Sequence, residues 1–147
     1  MSIGEILDSI NKPRLVILET GNIYTREAAR WVREHIDAKF TSVDIDSTLQ
    51  MATHKELECD GTARYCTFLT KDHVKHLNEQ SWVDICLLNP SDLQTGLMEF
   101  SLAVSTGASI IVMNDFQARS ALAIKKAKAL GWEYSSQGMM NVLRRPE

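Results

Sequence analysis

The chain has 147 residues, 44% of them hydrophobic and 7% aromatic, a length that suits one compact domain with a sizeable core and leaves no room for a second. A net charge of -3, with the basic residues spread over helices, gives no sign of avid binding to a nucleic-acid backbone. No apolar run nears the roughly 20 residues of a membrane helix, and the acidic, amphipathic opening Met-Ser-Ile-Gly-Glu-Ile-Leu-Asp is unlike a signal peptide, so a cytosolic protein is expected.

Pro13 stops a first short helix, Ser2 to Ile10, because the residue before proline is pushed out of the helical region. An apolar strand, Leu15 to Glu19, follows. Between Tyr24 and His35 the residues Ala28, Ala29, Trp31 and Val32 fall on one face and Arg26, Arg30, Arg33 and Glu34 on the other, which is helical periodicity. A second strand, Phe40 to Asp44, leads into a helix capped by Ser47, carrying Leu49, Ala52 and Leu57, and ended by Asp60-Gly61. A third strand is expected over Arg64 to Leu69, then a short helix capped by Asp72 with Val74 and Leu77 inward. The run Trp82 to Leu88, apolar apart from Asp84, predicts a strand covered on both faces, and Pro90 ends it. Leu93 to Val104 has helical spacing with Thr106-Gly107 as its stop, and Ser109 to Met113 is a fifth strand. A helix from about Ala118 to Leu130 ends at Gly131, and strands at Trp132 to Ser135 and Met140 to Arg144 flank a Ser-Gln-Gly turn. Five alternations of strand and helix followed by a hairpin imply a parallel sheet with helices on both faces, seven strands in all, one of them reversed near an edge.

Four of the apolar runs end in a polar group, Glu19, Asp44, Asn89 and Asp115. Parallel sheets bind ligands at that edge, where a carboxylate can reach a ribose or an ammonium group, so a nucleoside-type ligand is expected. The plainer role of such acids is to cap the helices that follow, stabilising each by roughly 0.5 to 1 kcal/mol. Asp84 opens its strand at the far edge and is structural on this reading. Cys59, Cys66 and Cys86 lack C-x-x-C spacing and are expected as reduced, partly buried thiols. His73 and His76, beside Asp72, are read as polar positions on an exposed helix, with no fourth group to complete a zinc site. Asp92, in the first turn of the helix after strand four, is offered to the site in preference to Glu99. Tyr24, Thr25 and Arg26 are candidates to bind an anionic group, and Met139 and Met140 indicate an apolar contact surface. Gly-x-Gly-x-x-Gly is absent after strand one, which disfavours a nicotinamide-linked reductase.

In order and spacing, Leu18-Glu19-Thr20-Gly21, Thr41-Ser42-Val43-Asp44-Ile45-Asp46, Lys71-Asp72, Val83 to Asn89 and Val112-Met113-Asn114-Asp115 resemble the class I S-adenosylmethionine-dependent methyltransferases, and among them the small O-methyltransferase-like members. The resemblance implies an α/β, Rossmann-like doubly wound sheet of strand order 3-2-1-4-5-7-6 with strand seven antiparallel, in one domain over the whole chain. It implies S-adenosylmethionine as cofactor and a small molecule as methyl acceptor, with no nucleic-acid or membrane partner. Glu19, Thr20, Gly21 and Asn22 then fall in the loop against the methionine part, Asp44 and Ile45 at the ribose, and Lys71 and Asp72 in the adenine-proximal loop. Asn89 falls beside the methyl-transfer site, and Asp92 or Asp115 supplies a base. Metal-dependent members carry an aspartate where this chain has Asn89, so no metal is expected. The first loop is shorter than the family's and has a single glycine, which keeps a second reading open: a catalytically degenerate domain that binds a nucleoside or a protein partner without chemistry. The family's N-terminal helical cap is missing too, so the substrate lies in an open cleft or a second subunit of a homo-oligomer closes it.

Overall fold

The computed structural model describes residues 2–147. Its strands are β1 (Val16–Thr20), β2 (Lys39–Asp44), β3 (Thr67–Thr70), β4 (Ile85–Leu88), β5 (Ile110–Asn114), β6 (Glu133–Gln137) and β7 (Met140–Arg144). The helices are α1 (Ile3–Asp8), α2 (Thr25–Arg33), α3 (Ser47–Glu58), α4 (His73–Asn78), α5 (Leu93–Ser105) and α6 (Ala121–Ala129). The strands make one sheet of order β3-β2-β1-β4-β5-β7-β6. Neighbours from β3 to β5 pair in parallel, and β7 runs antiparallel to both β5 and β6. The expected α/β doubly wound sheet and its order are both present.

Alternation along each strand divides the core in two. Ile17, Phe40, Ile85 and Leu87 face α1, α2 and α3 and pack on Ile3, Ile6, Leu7, Ala28, Ala29, Val32 and Leu57. Leu18, Val43, Cys86, Leu88, Ile111 and Met113 face the other way, onto Leu77 of α4, Phe100 and Ala103 of α5, and Ala123 and Ala127 of α6. Both faces of the central strands are therefore apolar, as a sheet covered by helices requires. Because β1 leads to β2 on one side while β3 crosses to β4 on the other, the strand order reverses between β1 and β4, and a crevice opens above that junction.

Several boundaries differ from the sequence reading for local reasons. Asp46, not Ser47, caps α3, its Oδ1 accepting from Leu49 N at 3.0 Å. Ala63–Tyr65 form a 3-10 turn, so β3 begins only at Thr67. Trp82 takes φ 64 and stands 86% exposed, which delays the start of β4 to Ile85. Gln117 and Ala118, at φ 55 and 56, hold back α6 until Ala121. The histidines of α4 are not on an exposed face: His76 is buried and His73 partly so. Asp84 is a tether for the chain start, accepting from Val16 N at 2.7 Å and pairing with Lys12 at 2.5 Å. Of the thiols, Cys86 is buried, Cys66 half-buried and Cys59 exposed, none in a disulfide. No helix among the described residues is long and apolar enough to cross a membrane.

Candidate active site

Glu19 lies in phase with Leu15 and Ile17, so it points into the core on the α2 side and is wholly buried. Its carboxylate accepts from Tyr24 N at 2.7 Å, from Ser42 Oγ at 2.8 Å and from Thr25 Oγ1. The Glu19–Ser42 pairing follows from the β1–β2 register, which sets the two residues side by side. Glu19 thereby supplies the cap that Tyr24, the residue before α2, does not. Burial pushes its pKa up to about 7 against the pull of these hydrogen bonds.

The rest of the first loop is bonded just as fully. Gly21, at φ +78, donates its N–H to Val43 O at 2.8 Å, and a Cβ there would lie 2.6 Å from Asn89 Cβ. The Asn89 side chain thus fills the space that a glycine opens. Asn22 is buried: its Nδ2 donates to Gln50 Oε1 at 2.7 Å and its Oδ1 accepts from Thr53 Oγ1 at 3.1 Å. Gln50 in turn donates to Ser42 O and Leu69 O, which ties the loop to α3 and the sheet. Arg26 pairs with Glu56 through Nε and Thr25 with Glu19, and of the three candidates for an anionic group Tyr24 is the one with a buried, unbonded side-chain atom.

At the β2 end, Asp44 is 7% exposed and its Oδ1 accepts from Asp46 N at 2.9 Å. Ile45 beside it projects into solvent. Asp72 caps α4 by accepting from Lys75 N at 2.9 Å, and Lys71 pairs with Glu79 at 2.5 Å. A cleft of about 230 Å³ lies here, lined by Ile45, Asp72, His73, Val74, Ser91 and Thr95. His73 stands between two acids: Nε2 is 3.8 Å from Asp44 Oδ1 and Nδ1 is 3.9 Å from Glu99 Oε1. Both separations exceed hydrogen-bond range. Burial lowers the His73 pKa below its ordinary value, although Asp44 and Asp72 pull it upward. Glu99, on the inner face of α5, is fully buried and takes its single hydrogen bond from Thr20 Oγ1 at 2.7 Å. Desolvation pushes its pKa up to about 7.

On the β4–β5 side, Asn89 N donates to Thr20 O at 3.0 Å. Asp92 spends its carboxylate on the α5 N-terminus, accepting from Thr95 N at 2.8 Å, and that bond holds its pKa below the ordinary range. Asp115 keeps Oδ1 buried and unbonded. The Tyr24 hydroxyl, also buried, lies beside the Asn114 side chain without a hydrogen bond of good geometry, and burial raises its pKa to about 12. Phe116, half exposed, lies 5.1 Å under the Arg119 guanidinium. Backbone packs closely here as well, since a Cβ on Gly96 would sit 2.6 Å from Arg119 O.

Buried polar atoms without a partner are rare and ask for an explanation. Among the described residues they include Tyr24 Oη, His73 Nε2, Glu99 Oε2 and Asp115 Oδ1, which come from different elements yet gather at the carboxyl edge of the sheet. The segments after the parallel strands carry Asp44, Asp46, Asp72, Asp92 and Asp115 against Lys71 and Arg119, so this edge has a negative field. Exposed Ile23, Ile45, Leu93, Phe116 and Met139 surround it with apolar surface. A larger cavity of about 590 Å³ lies between α3 and the edge strand β3, lined in part by Met51, His54, Lys55 and Phe68, but none of the strand-end acids reaches it. No group of three His, Cys, Asp or Glu among the described residues is placed to hold a metal ion.

Solved structures of similar shape cover nearly the whole chain. A methyltransferase from Geobacter sulfurreducens superposes with a TM-score of 0.71 at 15% identity, over 98% of this chain and 78% of that one. A SAM-dependent O-methyltransferase from Thermotoga maritima gives a TM-score of 0.73 at 13% identity, over 97% of this chain. The fold is that of the class I methyltransferases. M. capricolum TrmK, solved with the cofactor product S-adenosylhomocysteine, shares the fold at a TM-score of 0.67 and 10% identity, over all of this chain and 70% of that one. This chain spans 63% of the length of the Thermotoga protein. No protein-family model matches the chain, and neither does any curated protein by sequence.

The structure places Thr20, Gly21, Asp44, Asp72 and Asn89 at the carboxyl edge of the sheet, with Gly21 against Asn89, Asp72 lining the cleft and Thr20 bonded to Glu99, and turns Glu19 and Asn22 inward as loop supports. Sequence reasoning took His73 for an exposed polar position and set Glu99 behind Asp92, and did not foresee their approach at 3.9 Å. The signal for Glu99 was a lone acid on a helix face otherwise made of Gly96, Phe100 and Ala103.

Proposed function

We propose that this chain is a S-adenosylmethionine-dependent methyltransferase acting on a small molecule. The observation that carries the reading is the gathering of buried, unbonded oxygen atoms on Glu99, Asp115 and Tyr24 at an acidic sheet edge. That edge suits a ligand with positive charge, as a sulfonium and an ammonium provide, and repels a pyrophosphate or a nucleic-acid backbone. On this reading Asp44 accepts the ribose hydroxyls, Ile45 and Val74, which line the cleft, flank a flat base, and Gly21 and Asn89, which lie against each other, border the amino-acid end. When bound, the cofactor supplies a methyl group already activated by its sulfonium. The chain then has to supply proximity, alignment and, for a hydroxyl acceptor, a base. Asp115 suits that role better than Asp92, whose carboxylate is committed to the α5 cap. The apolar rim from Ile23 to Met139 fits an organic acceptor, or a second copy of the chain closing over it. Unpaired thiols fit a cytoplasmic setting.

Titration calorimetry with S-adenosylmethionine and S-adenosylhomocysteine tests the reading. Asp44→Ala is expected to weaken both by about 1 to 3 kcal/mol, the cost of losing charge-assisted hydrogen bonds, and unchanged affinity removes Asp44 from the ribose. The Asn22–Gln50–Thr53 network favours a second reading, a nucleoside-binding domain without catalysis, because it leaves Asn22 nothing to offer an amino-acid group. In that case adenosine binds as tightly as S-adenosylmethionine.

A further inference from the structure

The opposite rim of the sheet, where the parallel strands begin, has an irregularity of its own. Trp82 stands 86% exposed at φ 64, a left-handed backbone that a bulky side chain holds only under strain. Its indole makes no ring contact, cation contact or hydrogen bond among the described residues, so nothing inside the chain offsets that conformation. Beside it lies a hollow. A cavity of about 500 Å³ opens at the starts of β1 and β2, and Arg14, Val16, Ile36, Asp37 and Lys39 line it. Asp84, two residues after Trp82, accepts from Val16 N at 2.7 Å and donates its own N–H to Val16 O at 2.9 Å. The indole thus leaves the strand next to the hollow, and neighbouring strands are only about 5 Å apart. Ile36 on the hollow's wall is 71% exposed, and Arg14, Asp37 and Lys39 form no ion pair among the described residues.

We infer that this rim is a self-association surface: a second copy of the chain docks on it about a two-fold axis, with Trp82 of each copy seated in the hollow of the other. A projection and a hollow side by side on one face complete each other under a two-fold rotation, in which residue i meets j and j meets i. The unpaired charges fit the same symmetry, because Arg14 and Lys39 of one copy then have Asp37 of the other as an available partner. The two cations at the hollow also suit the face of an indole. A surface of one sign, such as an anionic membrane, leaves Asp37 opposed. Two indoles and the walls they cover bury roughly 600 to 1,000 Å². Ile36 and the flanking loops bring the contact toward the roughly 1,200 Å² at which specific interfaces begin, so the dimer is a reversible one. It joins two sheets at their amino edges and leaves both carboxyl edges open, so the inference is independent of what binds there.

The test is sedimentation velocity of the full chain from about 1 to about 500 µM, a span that brackets the micromolar affinity of a small interface. The wild type is expected to pass from monomer to dimer, with its indole emission moving to the blue as it does. Trp82→Gly is expected to weaken association by about tenfold or more while keeping its circular dichroism, since glycine holds φ 64 without strain. Ile36→Glu puts a charge in the hollow from an exposed position and is expected to weaken association by a similar factor, which keeps the inference testable if the Trp82 variant does not fold. An equimolar mixture of the two variants is expected to associate more tightly than either alone, because one intact indole then meets one intact hollow. A wild type that stays monomeric over the whole span overturns the inference and leaves Trp82 to a different partner. Dimerisation that survives both substitutions places the interface elsewhere and overturns it as well. Growth beyond the dimer overturns the two-fold arrangement, and a mixture no tighter than its components overturns the seating of the indole.

Discussion

The two ends of the sheet's carboxyl edge are built on opposite plans. Around the β1 loop, Glu19, Asn22, Gln50 and Thr53 bond to one another or to backbone. Around α4 and α5, His73 and Glu99 face acids or each other beyond bonding distance and keep unbonded atoms. The first arrangement has one geometry in which its hydrogen bonds are made, so it fixes the loop. The second leaves buried polar atoms without partners, so it is the end with hydrogen-bonding capacity to give to a ligand. Bonds made at one end and bonds on offer at the other divide positioning from recognition.

Glu19→Ala is the strongest way to break that division. It strips the partner from Thr25, Ser42 and Tyr24 N at once, and a loss of roughly 2 to 4 kcal/mol is expected from urea unfolding. Loss below about 1 kcal/mol means that the loop is not held by this acid. Gly21→Ala comes next, at about 2 kcal/mol, since it adds both a positive-φ penalty and contact with Asn89. Glu99→Gln sharpens the comparison through pH. A carboxyl with a pKa near 7 when folded and 4.5 when unfolded holds more protons in the folded state between those values. Its contribution is therefore whole below 4.5 and is lost as pH rises through 7. Urea midpoints at about pH 5 and about pH 8 should differ less in Glu99→Gln than in the wild type, by about 1 to 2 kcal/mol. Glu19, raised for the same reason, leaves part of the slope in place. Thr53→Val is the mildest, at about 1 kcal/mol for one buried hydrogen bond to Asn22.

The sheet was legible because the physics is local. Val16-Ile17-Leu18 and its counterparts are apolar at every position, and the helix between β1 and β2 has Ala28, Ala29 and Val32 on one side. The strand-end acids were legible as a set but not in their separate fates. Glu19 and Asp44 look alike in the chain, yet period two puts Glu19 in line with Leu15 and Ile17, and that phase buries it. Asp92 reads as a cap from its own neighbourhood, three residues before Thr95, and the structure uses it so. The His73–Glu99 approach left no local trace, because it is made where α4 and α5 meet and neither segment contains the other's position. Trp82 was hidden in a similar way: its apolar run argues for a strand, and only its left-handed backbone, with φ 64, keeps it outside.

Gly96 has a consequence for how this molecule can be remodelled. Any larger residue there collides with the Arg119 carbonyl and presses on Pro90, so the segments following β4 and β5 approach each other as closely as a glycine allows. A larger side chain at Gly96 will therefore be felt in both segments. The hairpin tip at Gly138, with open space around its Cα, is the place where length can be added without disturbing either.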